Sequence, residues 1–426
     1  LKPAWREEFQ NILFSMHLSP RLICRAGKNA FPALLRSSIN ISQNILLISS
    51  VPSSDETISS PPSLSSRLPT RAQLHSINNS IGRFTHLLRT SAPSSRFATA
   101  TISSRFPTED EISKSIEIST RSFGETDDLC IVGIGSGAAA DLACAIARFT
   151  NAKQLVLAPV TFGGCVAACA SKEMIYDPIE ARLVAGTGIG AEMLCHVAVD
   201  TSAIVPFGEG STGVLDATLA STALALDEAL KSVNGRNISV RRALLSSYKA
   251  WETICSGGHV SASLSEEAVA YVAIAAAHSG ITSSPCSAPL AMASCLLPKY
   301  FPYGNFLSFV ASTLPAIYAN AEERGDSPAE LVRDIMFSDK NTSEDDENKC
   351  ESTTQIPLTS FESEPPSTER LVEWLSGSRG VPKLASMAYG TPEVQSMAHD
   401  FIEGDIFEDE ATQSKLVNIL KIALNR

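Results

Sequence analysis

A glycine-bearing stretch, IVGIGSGAAADLACAIA at Ile131–Ala147, holds residues whose types and spacing suit an anion. Gly133-x-Gly135-x-x-Ala138 fits the pattern G-x-G-x-x-G/A. In that pattern glycines let the backbone approach a pyrophosphate, and the N–H groups of a helix N-terminus face its charge. The same residues also describe a tight strand-to-helix turn with no ligand, and the motif by itself does not separate the two. The pattern normally follows a first strand, whereas this one begins only at Gly133. No Asp or Glu lies between Asp141 and Glu173, so the acidic ribose ligand expected about 20 residues on is missing. A second turn shifts the balance: APVTFGGCVAA (158–168) brings Pro159, the hydroxyl of Thr161 and then Gly163-Gly164. In a parallel sheet both turns fall at one carboxyl edge, and two glycine turns beside one crevice fit a diphosphate better than either alone.

The elements that must position these turns are legible around them. NILLISS (44–50), DLCIVGIG (128–135), QLVLAPV (154–160) and HVAVD (196–200) are continuous apolar runs of strand length. Such runs suit strands buried on both faces of a parallel sheet. TEDEISKSIEISTRSF (108–123) and AAADLACAIARF (138–149) are the intervening helices. The alternation predicts a doubly wound, mostly parallel α/β domain over 19–204 with right-handed crossovers. Beyond about Pro206 the strand signal fades and long helical patterns take over, at 214–232, 265–280, 306–324 and the C-terminus. An all-α domain over 205–426 is expected. Residues 51–70 are rich in Ser and Pro, and 338–368 are acidic and poor in large apolar side chains. Neither segment can bury enough surface to offset its ordering entropy, and both read as inserted loops.

Totals narrow the function. Acids outnumber Lys and Arg by 46 to 34 over 426 residues, a net charge of -12 that argues against nucleic acid or an anionic membrane as partner. The longest apolar run, Ala268–Ala277, is too short to cross a bilayer, which takes about 20 residues. The ten cysteines follow no repeating frame and read as reduced core residues, with Cys165 and Cys169 at most half of a metal site. Residues 1–18 read as an N-terminal extension, with Met16 an alternative start. From Phe9 to Ser54 there is no acid, while Arg21, Arg25, Lys28 and Arg36 occur among serines. That composition suits an organelle transit peptide, yet RLICRAG and FPALLRS read as strand and helix. Folded structure is the preferred reading, and cytoplasm and mitochondrion both stay open.

The paired turns resemble the iron-containing (group III) alcohol dehydrogenase family, of the superfamily with glycerol dehydrogenase and dehydroquinate synthase. Its motif G-G-G-S-x-x-D-x-A-K appears here as Gly135-Ser136-Gly137-Ala138-Ala139-Ala140-Asp141-Leu142-Ala143-Cys144, and P-T-T-A-G-T-G-S-E as PVTFGGCVA from Pro159. PTEDEISKSIE, TGVLDATLA and GVPKLASMAYGTPEVQSMAHDFI resemble further family segments, so the likeness runs from Pro20 to the C-terminus apart from the two loops. It implies a dehydroquinate synthase-like architecture, with NAD or NADP on the α/β domain and an alcohol or carbonyl substrate in the cleft. Cofactor contacts would fall at Gly135, Ser136, Gly137, Val160 and Thr161, with Arg182 where the family often has a Lys and Asp141 bracing the glycine turn. Ser136, Ala138 and Cys144 replace a glycine, the serine and the lysine of the motif. The candidate assembly is a homodimer.

The family also implies a divalent iron or zinc ion held by one Asp and three His. Asp216 matches the Asp, but the position four residues on, one helical turn along the same face, is Ala220. The stretch matching the remaining ligands, SPCSAPLAMASCLLPKYFPYGN, has no His, and none occurs from Ser279 through Ala398. One carboxylate does not hold a catalytic ion that needs three or four protein ligands. The expectation is no metal site, with Asp216 as an N-terminal helix residue favoured by the helix dipole and His259 and His278 as packed side chains. No catalytic residue is assigned; Tyr303 and Lys299 are candidates by position alone. Three readings follow: an NAD(P)-dependent oxidoreductase, an inactive divergent paralogue that keeps the fold and nucleotide binding, and a dehydroquinate-synthase-like lyase, which the missing histidines also disfavour.

Overall fold

The computed structural model describes residues 21–37, 44–50, 69–124, 128–186, 188, 193–207, 211–231, 237–255, 265–284, 287–300, 305–337, 365–384 and 410–425. The bulk of both inserted loops, the extension 1–18, His259, Tyr303 and the segment VQSMAHDFI lie outside these residues.

Six strands form one parallel sheet: β1 (Arg21–Gly27), β2 (Asn44–Ser50), β3 (Arg96–Ile102), β4 (Leu129–Gly135), β5 (Gln154–Pro159) and β8 (Leu194–Asp200), in the order β1-β8-β5-β4-β2-β3. The apolar runs are continuous because successive side chains enter different cores. In β2, Leu46 and Ile48 join one core and Ile45 and Leu47 the other. In β5, Leu155 and Leu157 oppose Val156 and Ala158 in the same way. Helices α1 (Ala30–Ser37) and α2 (Arg71–Ser91) cover the second face through Phe31, Leu34, Ile77 and Phe84. Helices α3 (Glu109–Phe123), α4 (Gly137–Phe149) and α5 (Phe162–Cys169) pack into the first. Capping boxes start α2 at Thr70 and α3 at Thr108, each with its third helical residue, Gln73 or Glu111, bonding back to the cap.

Strand β3 and the antiparallel hairpin of β6 (Met174–Asp177) and β7 (Arg182–Ala185) have no counterpart in the sequence reading. RFATATI is an edge strand with alternating exposure, so its apolar content is too low to stand out.

The remainder is helical: α6 (Thr212–Lys231), α7 (Ile238–Ile254), α8 (Glu266–Thr282), α9 (Ala288–Tyr300), α10 (Phe306–Glu323), α11 (Pro328–Phe337), α12 (Thr368–Leu375) and α13 (Glu410–Asn425). Its apolar residues are continuous with the core on the α4–α5 face of the sheet. Helix α8 lies directly on α5. A β-carbon at Gly280 would stand 2.3 Å from the Val166 carbonyl oxygen, so only glycine permits that approach. Asp227, fully buried on α6, receives the Ala288 N–H at 3.0 Å and faces Lys231 at 2.7 Å and Lys415 at 3.6 Å, which joins α6, α9 and α13. The described cysteines are all free, and all but Cys295 are buried. No helix among the described residues is long and apolar enough to cross a membrane.

Candidate functional site

The crossover after β2 uses α2 on one face of the sheet, and the crossover after β4 uses α4 on the other. The neighbouring carboxyl ends of β2 and β4 therefore border the point where the winding direction reverses, where open α/β sheets bind their ligands. The glycine motif sits there.

The two turns predicted to converge do so. Gly135 pairs with Pro159, and the Val160 N–H donates to the Gly135 carbonyl at 2.9 Å. A β-carbon on Gly137 would lie 3.5 Å from both the Gly163 carbonyl oxygen and the Ala167 methyl. Gly135 has φ +147°, a conformation that suits glycine, and its absent side chain leaves room for Ser50 at the end of β2. The Ser50 hydroxyl accepts the Ser136 N–H at 2.7 Å and pins the turn to the neighbouring strand. The N–H groups of Gly137, Ala138 and Ala139 have no partner within α4, since the first intrahelical bond of this turn runs from the Ala140 N–H to the Ser136 carbonyl. Ser136 makes no side-chain capping bond. In α5, the Thr161 hydroxyl accepts the Gly164 N–H at 3.1 Å, leaving the amides of Phe162 and Gly163. Ser136, Gly137 and Gly163 are partly exposed while the residues around them are buried. The result is two short rows of backbone donors at adjacent helix N-termini, the arrangement that suits a diphosphate. Leu307, near the start of α10, stands 4.0 Å from a β-carbon built on Gly163, so the helical half overlooks this edge.

Gly135, Ser136, Gly137, Val160 and Thr161 thus come together, but with divided roles. Val160 is fully buried; its N–H serves Gly135 and its carbonyl receives the Val205 N–H at 2.8 Å, so it joins the turns and presents no free group. Thr161 is also buried and shapes the α5 N-terminus. Asp141 departs from the expectation that it braces the glycine turn. It lies past the first turn of α4, and its carboxylate accepts the Met174 N–H at 3.2 Å, tying α4 to β6. Burial holds the Asp141 pKa well above the usual carboxylate range and nearby Glu173 adds to this, while the Met174 N–H opposes it. Glu173 is itself buried and paired with Arg148 at 2.9 Å. Arg182, at the start of β7, is ion-paired with Glu180 on the hairpin. Cys144, where the family motif has a lysine, is buried in the core, and burial raises its thiol pKa well above normal. Ser50 was not anticipated from the sequence; the available signal was a pair of serines closing an otherwise apolar buried strand.

Asp216 also departs from expectation. It lies beyond the first turn of α6, is 1% exposed, and its carboxylate accepts the Ser308 hydroxyl of α10 at 2.5 Å. The dipole argument for a helix N-terminal acid therefore does not apply to it. Ala220, one turn on, is fully buried and offers no donor atom. His278 is buried near the end of α8, where desolvation, and secondarily Arg242, lowers its pKa to about 4. Lys299 is exposed on α9, its ammonium 5.3 Å from the centre of the Tyr300 ring. Among the described residues no group of three or more His, Cys, Asp or Glu side chains is placed to hold an ion. These residues do not fit the divalent metal that the fold family implies.

No protein-family model matches this sequence, and no curated protein matches it. Solved structures do. Maleylacetate reductase from Agrobacterium tumefaciens is 15% identical with a TM-score of 0.60, over 96% of this chain and 97% of that one. An iron-containing alcohol dehydrogenase from Thermotoga maritima is 13% identical with a TM-score of 0.58, over 97% and 100%. An archaeal halo-thermophilic Red Sea brine pool alcohol dehydrogenase is 12% identical with a TM-score of 0.63, over 96% and 99%. With its parallel sheet, paired glycine turns and helical half, the chain has the fold of the iron-containing alcohol dehydrogenases and maleylacetate reductases, end to end.

Proposed function

We propose that the crevice at Gly135–Gly137 and Thr161–Gly163 binds NAD(H) or NADP(H), and that the chain is a divergent oxidoreductase of the iron-containing alcohol dehydrogenase family acting on an alcohol or carbonyl. The observation that supports this most is the convergence of two helix N-termini, each with one partly exposed glycine, Gly137 and Gly163, at the winding reversal of the sheet. A bound nicotinamide dinucleotide supplies the hydride donor or acceptor. This chain's own part is to hold the diphosphate on the amides of Gly137–Ala139 and Phe162–Gly163, with Ser50 fixing the first row and Thr161 the second. The solved structures with this fold are named as alcohol dehydrogenases and maleylacetate reductases, which supports the reaction class. Among the described residues the Asp216 region lacks the donor set for a metal ion.

Titrating the full chain with NADH and NADPH by calorimetry is expected to show saturable binding of at least one of them. Gly137→Trp, whose side chain starts between the two turns, should weaken it by about tenfold or more, about 1.4 kcal/mol. A flat titration with both cofactors refutes the proposal.

A second reading has its own support. The tie between Asp216 and Ser308, with Ala220 beside it, removes the group that would polarise a substrate oxygen in the family, as expected of an inactive paralogue that retains nucleotide binding. Cofactor-linked turnover of a panel of small alcohols and carbonyls separates the two. Turnover supports the enzyme, and binding without turnover supports the paralogue.

A further inference from the structure

We propose that the Asp216–Ser308 hydrogen bond stands in place of the family's metal cross-link, so that α6 and α10 are held together by the protein's own side chains and the helical half assembles without an ion. Both residues are 1% exposed, on helices 92 positions apart in sequence, and the hydroxyl-to-carboxylate distance is 2.5 Å. Four other hydroxyls on these helices are used locally. Thr218 bonds the Val214 carbonyl, Thr222 that of Thr218, Ser312 that of Phe309 and Thr313 that of Val310. Ser308 instead reaches across to the neighbouring helix. An ion at Asp216 would have to displace that hydroxyl and find further ligands where Ala220 supplies only a methyl group. A short hydrogen bond to a carboxylate, shielded from water, belongs to the stronger class of such contacts.

The idea does not depend on dinucleotide binding, so the two proposals fail separately. The full chain, purified without chelator, is analysed for iron and zinc and melted with and without EDTA and added Zn²⁺. Less than about one-tenth of an ion per chain and a Tm moved by no more than about 1 °C are expected, because a ligand that does not bind the native state cannot stabilise it. Ser308→Ala should lower the Tm of the helical half by roughly 3–10 °C, the effect of losing a buried bond to a carboxylate in a unit of about 200 residues. Asp216→Ala/Ser308→Ala should melt close to Asp216→Ala, since each substitution removes the same bond. If Ser308→Ala does not fold, Ser308→Thr, which keeps the hydroxyl, is expected to fold and melt near wild type. A tightly held ion whose removal lowers Tm, an unchanged Tm in Ser308→Ala, full additivity in the double variant, or loss of folding in both Ser308 variants would each overturn the proposal.

Discussion

Replacing Gly135 by alanine tests the crevice at its narrowest point. The residue has φ +147°, and a β-carbon there would lie 2.3 Å from the Ser50 hydroxyl and 3.1 Å from the Ser50 nitrogen. Holding alanine in such a backbone conformation costs about 1–3 kcal/mol. Forcing Ser50 aside also removes its 2.7 Å bond to the Ser136 N–H, worth about 0.5–1.5 kcal/mol. The sum is roughly 2–4 kcal/mol, about 5–15 °C in Tm for the sheet half. Cofactor affinity should fall as well, because the turn that aims the Gly137–Ala139 amides is displaced. Gly135→Ala in a Ser50→Gly background relieves the contact but not the backbone strain, so it should recover part of the melting temperature. Ser50→Ala alone keeps the glycine and loses only the pin, so it should cost the least. Differential scanning fluorimetry of the series, with cofactor titrations beside it, gives the ordering. If Gly135→Ala melts and binds like wild type, the described geometry of the turn is wrong.

Two further outcomes follow from buried groups elsewhere. His278 has a folded pKa of about 4 against 6.5 unperturbed, so the unfolded chain binds the extra proton first as pH falls. The stability due to neutral His278 is complete above about pH 6.5 and is lost towards pH 4, roughly 3 kcal/mol across that window. Melting curves from pH 7 to pH 5 should decline less steeply in His278→Gln than in wild type, and equal slopes would contradict the burial of a neutral imidazole. Gly280→Ala should lower Tm by several degrees, about 1–3 kcal/mol of overpacking, because the new methyl meets the rigid Val166 carbonyl rather than a movable side chain. An unchanged Tm would mean that α8 does not rest on α5 as described.

What the sequence discloses depends on how many neighbours a feature needs. Strands β2, β4, β5 and β8 were legible because burial on both faces leaves an uninterrupted apolar run, a signal contained within the segment itself. Helices α3, α6, α8 and α10 were legible from their periodicity and length. Edge strand β3 and the β6–β7 hairpin are not legible because half-exposed segments dilute that signal. The pairing of the two glycine turns was legible, since sheet topology puts successive carboxyl ends side by side. The roles of Asp141, Asp216 and Ser50 were not, because each is set by a partner distant in the chain: Met174, Ser308 and Ser136.

On the proposed reading, that contrast also accounts for why the backbone half of the site is kept and the side-chain half is not. A diphosphate cradle is made of backbone N–H groups, and any residue other than proline supplies one. Ala138 in place of the motif serine therefore leaves the donor row intact, provided that Gly135 keeps its conformation and Gly137 its small volume. The substitution at Cys144 falls on a side chain inside the core, away from the donors. A metal site is made of side-chain atoms, and each substitution deletes a ligand outright. With Ala220 one turn on and no histidine in the stretch after it, the buried Asp216 carboxylate depends on hydrogen bonds to offset a desolvation cost of several kcal/mol. A hydroxyl on the facing helix offsets part of that cost, so Ser308 and Asp216 are expected to be coupled in stability.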